Sequence, residues 1–220
     1  MADFHYDLAH LLGACVLLFS FALLYQRRLF SLLNVFALQS AALAALAAWQ
    51  GYIQDAPHLY VTALIALSMK AVIIPYALHR IIVRFAIVRT VDTALGVGLT
   101  MAAGVGLVTL SILLVLPITT HVGTLTREDL ALALSVVLLG LLTMITRRNA
   151  VSQVVGFMSL ENGLILAAVG VQGMPLVVEM LVAFAVMVAF IVFGIFFFHI
   201  RERFDTLDVQ ALEIFRGERR

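Results

Sequence analysis

Apolar residues in this chain come in long unbroken runs, and polar residues fall mainly in the short gaps between them. Seven runs approach the about 20 residues a helix needs to cross roughly 30 Å of hydrocarbon. They cover 8–25, 32–49, 59–78, 94–116, 130–145, 151–171 and 176–198, the fifth being the shortest. None alternates with the period of two that a barrel strand requires, so helices are left as the way to satisfy the backbone in lipid. The gaps carry turn chemistry or charge: Arg27 and Arg28, Asp55 with Pro57, 80–92, 117–129, Arg147 with Arg148, and Gly173 with Pro175. The pattern predicts an all-α integral membrane protein of about seven transmembrane helices.

Two stretches carry a finer pattern. In 79–91, Arg80, Arg84 and Arg89 are interleaved with Ile81, Ile82, Val83, Phe85, Ile87 and Val88. This spacing fits an amphipathic helix lying in the interface, where it binds acidic headgroups or a partner subunit; a solvated basic linker is the alternative. In the fourth run, Gly98, Ala102 and Gly106 recur every four residues, a spacing that lets another helix approach closely.

Composition supports the membrane assignment. The chain is 63% hydrophobic and 12% charged, with a mean hydropathy of +1.09, whereas a soluble domain has about 45–50% and about 25%. Half the usual charge cannot wet a surface of this size. No basic stretch precedes the first run, so the first span is expected to be retained, not cleaved as a signal. With seven spans, twelve arginines fall on one face: Arg27, Arg28, Arg80, Arg84, Arg89, Arg147, Arg148 and five in the tail 201–220. Arg127 alone falls on the other. Cations favour the cytoplasm, so the N-terminus is expected outside and the tail inside. Trp49, Tyr25, Tyr52 and Tyr60 suit the aromatic belts at the two interfaces.

The exceptions to this charge pattern locate the candidate chemistry. Lys70 is the one lysine in the chain, and it and Glu161 each lie about eleven residues into their spans. At ~1.5 Å per residue both are ~16 Å deep, near the midplane. A lone charge there costs roughly 2.5–3.5 kcal/mol on insertion scales. Each group can shed its charge, pair with the other, or pair with a neighbouring subunit. All three suit a proton relay or a field sensor, and a static buried ion pair is the bland alternative. Asn162 beside Glu161, and Gln39, Ser40 and Asn34 in the second run, can extend a polar path or simply tie helices together, as can Ser68 in the third. Glu179, near the outer end of the last run, reads as an outer gate or an interfacial carboxylate. His79 and His199 sit at cytoplasmic span ends as anchors or proton donors, and His10 near an outer one. Cys15 stands alone in an apolar run, and the chain has no phosphate-binding loop, zinc-helix motif or iron–sulfur cysteine set.

Arg147-Arg148-Asn149 followed by Gly156-Phe157-Met158-Ser159-Leu160-Glu161-Asn162-Gly163 resembles the signature of the hydrogenase-4 component E family. Gln39-Ser40, Lys70 with Val72 and Pro75, Leu176 to Glu179 and Thr206-Leu207-Asp208-Val209 extend the resemblance over nearly the whole chain. It implies a membrane-arm subunit of a group 4 [NiFe]-hydrogenase or formate-hydrogenlyase-type complex, akin to respiratory complex I, in the inner membrane of a prokaryote. Residues 130–200 are similar to the small K subunit of complex I and the C subunit of multisubunit antiporters. Residues 1–129 form a four-helix region without a counterpart there. The resemblance places Met158 and Met187 where the K subunit has its two membrane glutamates, with Glu161 almost one turn from the first and Lys70 matching a family lysine. Antiporter-like subunits become the expected partners and nucleic acid does not. Nickel–iron and iron–sulfur centres are expected on partner subunits, with no cofactor, metal or catalytic residue in this one.

Overall fold

The computed structural model describes residues 2–84, 95–118 and 124–170. These residues form helices throughout: α1 (Ala2–Tyr25), α2 (Leu29–Ile53), α3 (Pro57–Ile65), a π-helical segment (Ala66–Ile73), α4 (Ile74–Arg84), α5 (Val97–Ile118), α6 (Thr124–Thr146) and α7 (Ala150–Gly170). α3, the π segment and α4 run on as one 28-residue helix, so six helices are long and apolar enough to cross a membrane. The run 176–198, Glu179, His199 and the tail lie outside the described residues.

Helix ends follow local chemistry. α2 ends where Asp55 takes a left-handed conformation (φ 51°) and the Ala56 N–H reaches back to the Gly51 carbonyl at 3.0 Å. A short polar side chain makes aspartate one of the few residues suited to that geometry. Pro57 then opens α3, where a missing N–H is harmless. The π segment has its own cause. Pro75 offers no N–H to the Ala71 carbonyl and its ring crowds that carbonyl. The preceding turns widen, with the Ile74 N–H donating to Met69, and the helix continues.

Several limits differ from the hydropathy reading. The third helix does not stop at Leu78 but runs through Arg84. His79–Arg84 is therefore the amphipathic end of a spanning helix: Leu78 and Ile82 face the core while Arg80 and Arg84 face outward. Residues 85–91 of the expected interfacial helix lie outside the described residues. α6 begins at Thr124, ahead of the expected start near 130, because its N-terminal residues include the charged Arg127, Glu128 and Asp129, which no apolar run would take in.

Packing rests on glycine where helices come closest. A methyl group on Gly140 of α6 would meet Leu160 backbone N at 2.5 Å, and one on Gly163 of α7 would meet Val137 N at 2.7 Å. Gly156 is similarly tight against Met144. The small-residue face of α5 is turned elsewhere: Gly98 and Gly106 meet nothing within 4 Å among the described residues, and Ala102 is exposed. Gly104, on another side of α5, faces Phe21, Leu24 and Leu139.

A polar layer across the bundle

The arrangement starts at Lys70, which the π segment points into the bundle, 3% exposed. Its ammonium lies 3.0 Å from Glu161 Oε2 and donates to Asn162 Oδ1 at 3.0 Å. Adjacent residues of a helix diverge by about 100°. Glu161 and Asn162 therefore share a contact only because the long lysine chain enters between them. The α6–α7 glycine contacts hold α7 so that this edge faces α2 and the third helix.

From Asn162 the layer continues through amides. Asn162 Nδ2 donates to Gln39 Oε1 at 3.2 Å and to Ser40 Oγ at 3.1 Å. Gln39 Nε2 donates to Ser20 Oγ at 2.7 Å and to Ser159 Oγ at 2.9 Å, and the Ser20 hydroxyl donates to the Val16 carbonyl at 3.0 Å. Gln39, Ser40 and Asn162 are wholly buried. Glu161 is the exception in this network. Lys70 is close enough to pair with it, but neither carboxylate oxygen has an aligned hydrogen-bond donor among the described residues.

The layer runs across the bundle. On α1, α2, the third helix and α7 alike, the polar position stands between two apolar clusters. Toward the end bearing Arg28, Arg84 and Arg148 lie Leu23 of α1, Leu29 to Phe36 of α2, Ile74 to Ile82 of α4 and Ala150 to Met158 of α7. Toward the other end lie Ala9 and Val16, Leu43 and Leu46, Leu59 and Ala63, and Leu166 and Val169. The layer thus extends sideways from Lys70 to Ser20, with apolar clusters above and below it.

Other polar groups named from sequence lie apart. His79 is exposed at the arginine-rich end, its ring 4.6 Å from that of Phe30. Asn34 is exposed, and Ser68 donates to the Leu64 carbonyl of its own helix at 2.7 Å. His10 lies 3.5 Å from Glu128 Oε2 and 3.7 Å from Asp129 Oδ1, joining α1 to α6 at the opposite end. Trp49 and Tyr52 gather there with His5, and Trp49 Nε1 donates to the His5 carbonyl at 2.9 Å.

Sequence reading missed three participants. Ser20 and Ser159 are serines in apolar runs, and Ser159 stands three residues before Asn162 on the same helix face, which was the available signal. Arg147, one of the twelve arginines expected on one face, is 2% exposed. Its guanidinium donates to the carbonyls of Leu23, Leu24 and Gln26 at 2.7–2.8 Å, closing the C-terminus of α1. A cation there complements the helix dipole as well as the orphan carbonyls. Burial lowers its pKa to about 10, so it stays charged at neutral pH.

Comparison with known proteins adds one relative. The chain is 28% identical over 203 residues, 91% of its own length and 92% of the relative's, to the uncharacterized protein Rv0085 of Mycobacterium tuberculosis. No family model matches the chain and no solved structure matches it.

Proposed function

We propose that this chain is a membrane-arm subunit of a complex I-like, proton-translocating redox complex of the hydrogenase-4 or formate-hydrogenlyase type, with no redox centre of its own. The observation that carries this reading is the lateral polar layer. Lys70 and Glu161 form a buried pair within it, and apolar clusters seal it toward both membrane faces. A subunit that moved protons across the membrane alone would need a path along its helices. A subunit in a row of proton-handling neighbours needs one across them.

In this reading, redox chemistry at nickel–iron and iron–sulfur centres of partner subunits alters the field along the layer. The balance between the ammonium and the carboxylate shifts, and a proton is exchanged sideways with antiporter-like neighbours. Glu179, in the apolar run 176–198, is a further carboxylate candidate on sequence alone, as an outer gate or an interfacial group. The arginine asymmetry supports an N-terminus outside, a cytoplasmic tail and residence in the inner membrane of a prokaryote.

A second reading, a purely structural and assembly subunit, is favoured by the completeness of the amide and serine bonding and by the glycine-set contact of α6 with α7. Proton uptake into vesicles separates the two. Complexes carrying Glu161→Gln or Lys70→Ala are expected to keep electron transfer and lose proton uptake. Full pumping with normal electron transfer in both variants would remove the relay role. Loss of assembled complex, with unchanged coupling in what remains, would establish the assembly role.

A further inference from the structure

The layer has a direction. An ammonium group has three donors and no acceptor. Asn162 turns Oδ1 toward Lys70 Nζ, an orientation also fixed by the acceptors that Gln39 and Ser40 offer its Nδ2. Its Nδ2 then faces α2, where Gln39 Oε1 and Ser40 Oγ accept from it. Gln39 in turn aims Nε2 away from Asn162, and Ser20 and Ser159 accept from it. Every hydrogen bond from Lys70 to the Val16 carbonyl points the same way, across helices far apart in the chain.

Two consequences follow. The negative ends of both amides face the lysine, so the layer favours its charged form. The amides are also poor proton carriers, because passing a proton through either one requires an imidic acid form. Glu161 stands in contrast: among the described residues it has the nearby ammonium but no aligned donor. α2 presents Gln39 and Ser40 to the layer, α1 presents Ser20, and α7 adds Ser159. Among the described residues Lys70 and Glu161 are thus its titratable groups.

We propose that Asn162 and Gln39 are positioning residues, a polarised clamp that holds Lys70 as an ammonium ion, and that the proton exchanged at this site resides on Glu161. The second half rests on the proton-handling reading above; the clamp itself does not.

The full chain in lipid bilayers, grown with ¹⁵N-lysine, provides the test. Lys70 is the one lysine, so a single side-chain nitrogen signal reports ammonium or amine by its chemical shift. The wild type is expected to show ammonium at pH 7. Asn162→Leu is expected to lose most of that signal, Gln39→Leu to lose part of it, and Asn162→Asp, which restores an acceptor, to keep it. Should Asn162→Leu fail to fold, Gln39→Leu and Ser40→Ala give the same readout with smaller losses. For the carboxylate, an infrared band of protonated carboxyl that rises on acidification is expected in the wild type and absent from Glu161→Gln. An amine at pH 7 in the wild type, or an ammonium signal untouched by both leucine variants, overturns the clamp. A carboxyl band unchanged in Glu161→Gln overturns the assignment of the proton. Neither spectrum needs a redox partner, so the clamp can fail while vesicles still pump, and pumping can fail while the clamp stands.

Discussion

Lys70 and Glu161, on the third helix and on α7, meet at 3.0 Å with 3% of each residue exposed. Breaking a buried pair by removing one partner costs more than removing both, because the survivor keeps an uncompensated charge. Lys70→Met and Glu161→Gln are each expected to destabilise the chain by about 3 kcal/mol. The double variant should recover most of that loss. Unfolding in mixed micelles across the four-member cycle checks this, and strictly additive losses would count against the pairing.

Arg147 closes α1 from a different part of the chain. Arg147→Ala leaves the carbonyls of Leu23, Leu24 and Gln26 without their donor in a buried place. Hydrogen bonds to a charged group contribute about 1.5–3 kcal/mol each, so a loss of several kcal/mol is expected. Arg147→Lys keeps the charge but not the planar fork, and should restore only part of it. Hydrogen exchange should show fraying confined at first to the α1–α2 turn.

Glycine to alanine changes should differ in sign by position. At Gly140 and Gly163 a methyl group would come within 2.5–2.7 Å of backbone nitrogen, so α6 and α7 must separate. Overpacking of this kind typically costs about 1–3 kcal/mol, and it should also loosen the Lys70–Glu161 contact. At Gly98 and Gly106 nothing stands within 4 Å among the described residues, and alanine should stabilise the helix by roughly 0.5–1 kcal/mol. Thermal unfolding of the purified chain distinguishes the two sets.

Orientation is checked through single cysteines in a Cys15→Ala background. Cysteine at Gln54 is expected to react with a membrane-impermeant reagent applied from outside intact cells, and cysteine at Arg28 or Arg148 only after lysis. The reverse pattern would refute the proposed N-out arrangement, and labelling of all three from one side would refute the alternation of the spans.

Six of the expected spans were legible from run length alone, because transfer of apolar residues into lipid sums along the chain and needs no knowledge of neighbours. Counting along the runs likewise put Lys70 and Glu161 about halfway along their helices. Reading residues singly could not show that Arg147 turns inward onto the end of α1, or that Gly140 and Gly163 carry the contact of α6 with α7.

Sequence by itself determined that these helices are long and apolar enough to cross a membrane, roughly where each begins and ends, and how far along each its charged residues fall. Tertiary structure decided which side of each helix turns inward, and therefore that Lys70 enters between Glu161 and Asn162 and that the amides align behind it. A helix that is apolar all round carries no stripe to mark its inner face. That choice falls to contacts such as Gly140 against Leu160 and Gly163 against Val137, which exist only once two helices have met.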